Sequence, residues 1–100
     1  MKEIEVIVRT DSVRVRIMSL DPHEVADWHY HTEVTDDIFC LTGEILVCTK
    51  EPEETAKLLP GKRCQIKTGK IHQLRNPGSA EASYLLVQGV GRYDFKTVGK

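Results

Sequence analysis

Turn signals break this chain roughly every 6–10 residues, and no stretch between them carries a sustained apolar stripe at helical spacing. Asp21-Pro22, Thr42-Gly43, Glu51–Glu54, Pro60-Gly61, Thr68–Lys70 and Asn76–Gly78 are the punctuation. The segments they leave alternate or run apolar over short lengths, which is strand behaviour. Strands are predicted over 3–9, 12–20, Val25–Tyr30, Asp36–Leu41, Glu44–Thr49, Ala56–Leu59, Cys64–Lys67, Ile71–Arg75, Ser83–Gln88 and Arg92–Val98. That many short strands in 100 residues predicts an all-β sandwich or barrel built as one domain over 1–100. There is no internal repeat, low-complexity tract or linker to divide it.

The totals exclude several function classes. A net charge of −1, with both signs mixed along the chain, gives no cationic surface for nucleic acid or an anionic membrane. No apolar run approaches the roughly 20 residues of a membrane helix. The opening MKEIEVIVRT lacks the apolar segment of a secretory signal. Three cysteines, Cys40, Cys48 and Cys64, are odd in number and form no C-x-x-C pair. A reducing, cytoplasmic setting is therefore expected, with the thiols free.

The stretch Trp28–Gly43, WHYHTEVTDDIFCLTG, carries the chemistry. In an extended strand, residues i and i+2 share a face, so His29 and His31 converge on one point. The following strand places Asp36, Ile38 and Cys40 on one face. If the two strands lie side by side, two imidazoles meet a carboxylate, a ligand set for a divalent transition metal. A second stretch, GKRCQIKTGKIHQLRNPG over 61–78, brings His72 at the head of a short strand closed by Asn76-Pro77-Gly78.

These two stretches, in this order, resemble the paired motifs of the cupin superfamily. The first family motif reads Gly, five residues, His-x-His, three or four residues, Glu, six residues, Gly. His29, His31 and Gly43 stand in register, Asp36 occupies the Glu position, and His23 stands where the opening glycine is usual. The second motif reads Gly, five residues, Pro-x-Gly, two residues, His, three residues, Asn. Gly61, Gly69, His72 and Asn76 match, with Lys67 in place of the proline. The motifs cover about half the chain. The resemblance implies a double-sheet jelly roll (a double-stranded β-helix barrel), a metal held inside the barrel mouth, and a homodimer.

His29, His31, Asp36 and His72 would give three neutral nitrogens and one anionic oxygen to iron, manganese, nickel or zinc. A six-coordinate ion would keep two open positions, whereas tetrahedral zinc would be closed and structural. Asp is one methylene shorter than Glu. Glu33 and Asp37 are neighbouring carboxylates, but Asp37 falls on the opposite strand face. Ile38, Cys40 and Leu74 share parity with the site and are expected to line its pocket. Cys40 is expected to be an inert small hydrophobe. Asn76 is expected to cap a turn. Trp28 and Tyr30 should face away, together with Phe39 and Leu41, as a seam for a dimer contact. Arg14 and Arg16 either face the interior, where they could hold a carboxylate, or form a solvated outer face. Three functions remain in competition: a metal-dependent small-molecule oxygenase or isomerase, a small-molecule binding or sensing module without turnover, and a structural metal site in a small dimer.

Overall fold

The computed structural model describes residues 1–99. Ten strands and, among the described residues, no helix make up the chain. They are β1 (Lys2–Arg9), β2 (Val13–Leu20), β3 (His29–Tyr30), β4 (Thr35–Thr42), β5 (Ile45–Thr49), β6 (Glu54–Leu58), β7 (Arg63–Ile66), β8 (His72–Arg75), β9 (Ala82–Gly89) and β10 (Lys96–Thr97). They form two five-stranded sheets, β1-β2-β9-β4-β7 and β10-β3-β8-β5-β6. Every pairing is antiparallel. This is the double-sheet jelly roll the motifs imply.

The two inner faces close over a core of Met18, Leu20, Ile38, Cys40, Ile45, Val47, Leu58, Ile66, Leu74, Ala82, Tyr84 and Leu86. Alternation explains the selection. On β4, Asp36, Ile38 and Cys40 are buried while Asp37 and Phe39 are only half covered. On β9, Ala82, Tyr84, Leu86 and Gln88 point in. Register then aligns them: Asp36 opposes Gln88, Ile38 opposes Leu86, and Cys40 opposes Tyr84. On β2, Arg16, Met18 and Leu20 alternate as buried residues, with Ser19 buried between the last two, so the arginine-bearing face is the inner one and the half-buried Val15 and Ile17 turn outward. Inverting this strand would place two β-branched residues inside but would leave Gln88 without its partner Arg16.

Turn geometry accounts for two motif positions. Gly43 has φ 75°, and a Cβ there would lie 2.9 Å from that of Ala82, so only glycine fits between β4 and β5. His23 has φ 59°, the left-handed region, which explains why glycine is usual there. Asn76 is structural, as expected. Its Nδ2 donates to the carbonyls of Leu20, Asp21 and Ala80 at 3.2, 3.0 and 2.8 Å, and its Oδ1 accepts from Gly78 N–H at 2.9 Å.

Three expectations need correction. The predicted strand Val25–Tyr30 is a strand at His29–Tyr30 alone, because upstream it meets β8 only through a bridge between Val25 and Arg75 and the Ala26 N–H to Leu74 carbonyl bond. The predicted strand Arg92–Val98 pairs only at Lys96–Thr97. Its first half is a strap held by side chains, because the Asp94 carboxylate accepts from the Thr32 N–H and hydroxyl at 2.8 and 2.5 Å. The proposed seam is not one surface. Trp28 and Tyr30 face outward from one sheet, where Lys50 lies 4.5 Å over the Trp28 ring, whereas Phe39 and Leu41 belong to the other sheet.

Candidate metal centre

Both sheets contribute to one buried cluster. His29 on β3 and His72 on β8 are directly opposed across a strand pair, and His31 follows in the turn after β3. Asp36 comes from β4, on the other sheet. All four are at least 97% buried, and one donor atom from each lies within 4.8 Å of the others.

The rings are fixed from behind. Nδ1–H of His29 donates to the Asp27 carbonyl at 2.9 Å, that of His31 to Asp94 at 2.5 Å, and that of His72 to Lys70 at 2.8 Å. Anchoring Nδ1 leaves Nε2 as the inward lone pair on every ring, which is how backbone partners orient metal-binding imidazoles. The Nε2 atoms of His31 and His72 both stand 3.2 Å from the same oxygen, Asp36 Oδ2. Two lone pairs against one anionic oxygen need positive charge between them. A proton on one ring supplies part of it; a divalent cation satisfies all the donors together. The donor set therefore fits such an ion.

Electrostatics agree. Burial would raise the Asp36 pKa, but hydrogen bonds and charge from His31 and His72 overrule it and hold the carboxyl far below the usual range. Burial also opposes charge on His31, yet the Asp36 and Asp94 contacts win and raise its pKa. His29 has no such carboxylate bond; burial, then the His72 charge, push it down to about 4.

Sequence reasoning left Arg16 open between an inward and a solvated face, which the structure settles as inward, and it missed Gln88 beside Asp36. Gln88 Nε2 donates to Asp36 Oδ1 at 3.0 Å, and Arg16 Nη2 donates to Gln88 Oε1 at 2.5 Å. Arg16 Nη1 reaches Glu3 at 3.2 Å. The chain Arg16–Gln88–Asp36 depends on the β2–β9–β4 register, which no local pattern encodes; the arginine alternation on β2 was the available signal. The strap was also missed. Phe95 stacks on His29 at 4.2 Å and 16°, and Tyr93 lies 5.6 Å from His31.

A cavity of about 100 Å3 opens onto the cluster. Besides the four cluster residues, its walls include Arg16, Met18, Leu74, Tyr84, Leu86 and Gln88, with Met1, Tyr93 and Phe95 also bordering it. Leu74 thus lines it as expected. Ile38 and Cys40 do not: they share the inward face but sit within the apolar core, because the polar-to-apolar change on β4 comes directly after Asp36. Cys40 contacts the Thr42 and Gly43 carbonyls at 3.7 Å, and burial pushes its thiol pKa up, so it stays an unreactive thiol. A larger groove of about 820 Å3, bordered by Arg9, Arg14, Glu33 and Arg92, shares Gln88 and Tyr93 with the small cavity.

A double-stranded β-barrel with imidazoles and a carboxylate turned into its mouth defines a class of protein, and the comparisons agree. The family model described as the cupin domain matches residues 16–88, and the chain belongs to the cupin family. A conserved protein with a double-stranded β-helix domain from Klebsiella pneumoniae superposes with a TM-score of 0.83 at 21% identity, over 99% of this chain and 86% of that one. Oxalate oxidase superposes with a TM-score of 0.80 at 19% identity, over 87% of this chain and 46% of that one, so this chain spans under half its length. A sugar phosphate isomerase of the cupin superfamily from Silicibacter pomeroyi gives a TM-score of 0.69 at 18% identity, over 86% and 68%. At these identities the likeness is one of fold. A search of curated proteins finds no match.

Proposed function

We propose that this chain is a single-domain, metal-dependent cupin in which His29, His31, Asp36 and His72 hold one divalent transition metal and a small molecule reacts in the adjoining cavity. The observation that carries this reading is the anchoring of all three Nδ1 atoms to main-chain carbonyls, which leaves three Nε2 lone pairs and the Asp36 carboxylate facing one point. A divalent ion held there by His29, His31, Asp36 and His72 would supply Lewis-acid or oxygen-activating chemistry. The chain's own residues do the rest. Gln88 orients Asp36, Arg16 orients Gln88, and Phe95 and Tyr93 cover the imidazoles from water. Oxygenase and isomerase chemistry both suit this arrangement, and relatives of the same fold include an oxalate oxidase and a sugar phosphate isomerase.

A binding or sensing role without turnover is the second reading. It is favoured by the cavity walls, where Tyr84 is the one hydroxyl-bearing side chain that is fully buried, and burial raises its pKa, which makes it a poor base. Elemental analysis and oxygen uptake separate these readings. About one iron, manganese or nickel per chain with metal-dependent consumption of a small substrate supports the enzyme. One metal without turnover supports the sensor. Zinc alone, tetrahedral and closed, supports a structural site. A metal-free chain with no thermal shift on adding these ions rejects the centre.

A further inference from the structure

The two sheets differ on their outer faces. An antiparallel sheet with one side in water alternates apolar residues inward and polar residues outward. The β10-β3-β8-β5-β6 sheet follows that rule: Gln73 and Arg75 alternate with the inward His72 and Leu74 on β8, and Thr55 and Lys57 with Ala56 and Leu58 on β6. The other sheet does not. Val13, Val15 and Ile17 on β2, Phe39 on β4, and Leu85 and Val87 on β9 are half-buried on its outer side. Register sets them in adjoining rows across the strands. One row reads Val8, Val15, Val87, Asp37, and the next Glu5, Ile17, Leu85, Phe39, Arg63. The margins extend the patch with Val8 (39% exposed), Leu41 (42%) and Val90 (80%), the last beside Val13 and Val87. Strands apolar on both sides are those buried on both sides, and a lone monomer rarely leaves so broad an apolar patch to water.

We propose that this outer face packs on the same face of a second copy of the chain, about a two-fold axis parallel to the central strand β9. Area allows it. Four eight-residue strands and the shorter β7, at about 4.8 Å spacing and about 3.4 Å per residue, give a planar footprint of roughly 600 Å2 per copy and about 1,200 Å2 for the pair. Specific interfaces begin at about that size, and side-chain relief adds to the planar value. Charge chooses the second copy and fixes the axis. The strand order is β1-β2-β9-β4-β7, so a two-fold along β9 lays β9 on β9, β2 on β4 and β1 on β7. Within the row just given, Leu85 then meets the partner's Leu85, Ile17 meets the partner's Phe39, and Glu5 meets the partner's Arg63. Glu5 has no ion-pair partner among the described residues. Arg63 spends Nε and Nη2 on Asp37, at 3.0 and 2.6 Å, which leaves Nη1 for a second carboxylate. The two copies make this contact twice, once at each margin of the apolar rows. An axis across the strands would instead lay β7 on β7 and set Arg63 against its own copy. This face is independent of the metal centre, which lies between the sheets.

The test is sedimentation equilibrium of the full chain at micromolar concentrations. Wild type is expected at twice 11.3 kDa. Leu85→Lys places two like charges against each other at the centre of the face and is expected to weaken association at least about a hundredfold. Its circular dichroism should stay that of wild type. Glu5→Arg, at an exposed position on the edge strand where folding is not at stake, sets two cations together at each margin and is expected to weaken association about tenfold. Thr55→Lys, on the outer face of the other sheet, is expected to leave the mass and the dissociation constant unchanged. Should Leu85→Lys fail to fold, Glu5→Arg and Thr55→Lys decide. A wild-type species of 11.3 kDa would leave the face to a different protein and overturn the proposal. So would a dimer that Thr55→Lys disrupts, or one that Glu5→Arg leaves as tight as wild type.

Discussion

The same strands build both halves of the barrel interior, and the two halves are held together differently. β4 contributes Asp36 to one half and Ile38 and Cys40 to the other; β8 contributes His72 and then Leu74; β9 contributes Gln88 and then Leu86. A single two-residue step along each strand changes the lining from polar to apolar. The apolar half, with Leu20, Ile45, Val47 and Leu58, is complete as it stands, since removal from water is its own driving force. The polar half is satisfied at its back, through Nδ1 atoms and the Gln88–Arg16 chain, and turns the Nε2 atoms of His31 and His72 and the Asp36 carboxylate toward one point at its front. On the proposed reading, burial of equal depth serves stability at one end and ligand binding at the other.

The largest effect is expected in the apolar half. Ile38→Ala, at a fully buried site, should cost about 2–5 kcal/mol in denaturant unfolding of the metal-free chain, while metal content per chain stays unchanged. Loss of metal along with stability would break the distinction between the halves. His72→Ala should do the reverse. In wild type, a metal at a hundred times its Kd should add about 2.7 kcal/mol of stability; the variant should show none of that gain, and its metal content should fall to background. A full metal-dependent shift in that variant would remove His72 from the ligand set.

Gln88→Leu is expected to have a smaller effect. It strips Asp36 Oδ1 of its donor and should weaken metal affinity about 10–100-fold by competition titration, with the stoichiometry retained. Unchanged affinity would reduce the Arg16–Gln88–Asp36 chain to packing. The smallest effect is the pH dependence of the metal-free chain. His29 titrates near 6.5 when unfolded and about 4 when folded, so the unfolded chain holds the extra proton between those values and stability falls on acidification through that window. His31 is shifted the other way, so its contribution is full below 6.5 and fades as pH rises through its raised value. Melting temperature should therefore peak near pH 6.5; a flat profile would contradict the opposed shifts.

Much of this division is readable in the sequence, and the unread part has a physical cause. Two histidines two apart, and Asp36 at the head of an alternating strand, need only strand periodicity to be placed. His72 with Gly69 and Asn76 needs the spacing of a second turn-strand-turn. Gln88 and Arg16 depend instead on pairings between segments 72 residues apart, and register at that range is set by the whole sheet. Val13, Val15 and Ile17 hid the orientation of β2, because β-branched residues fit a strand on either face. Tyr93 and Phe95 alternate as a strand would, yet they stack on His31 and His29 while Asp94 bonds Thr32, so ring contacts outweigh ladder pairing there.

X-ray absorption at the metal edge of the manganese- or iron-loaded chain examines the centre most directly. The predicted spectrum shows a first shell of nitrogen and oxygen only, with outer-shell scattering from three imidazoles. Sulfur in that shell, or fewer than three imidazoles, would contradict a centre closed by His29, His31, His72 and Asp36 across the two sheets.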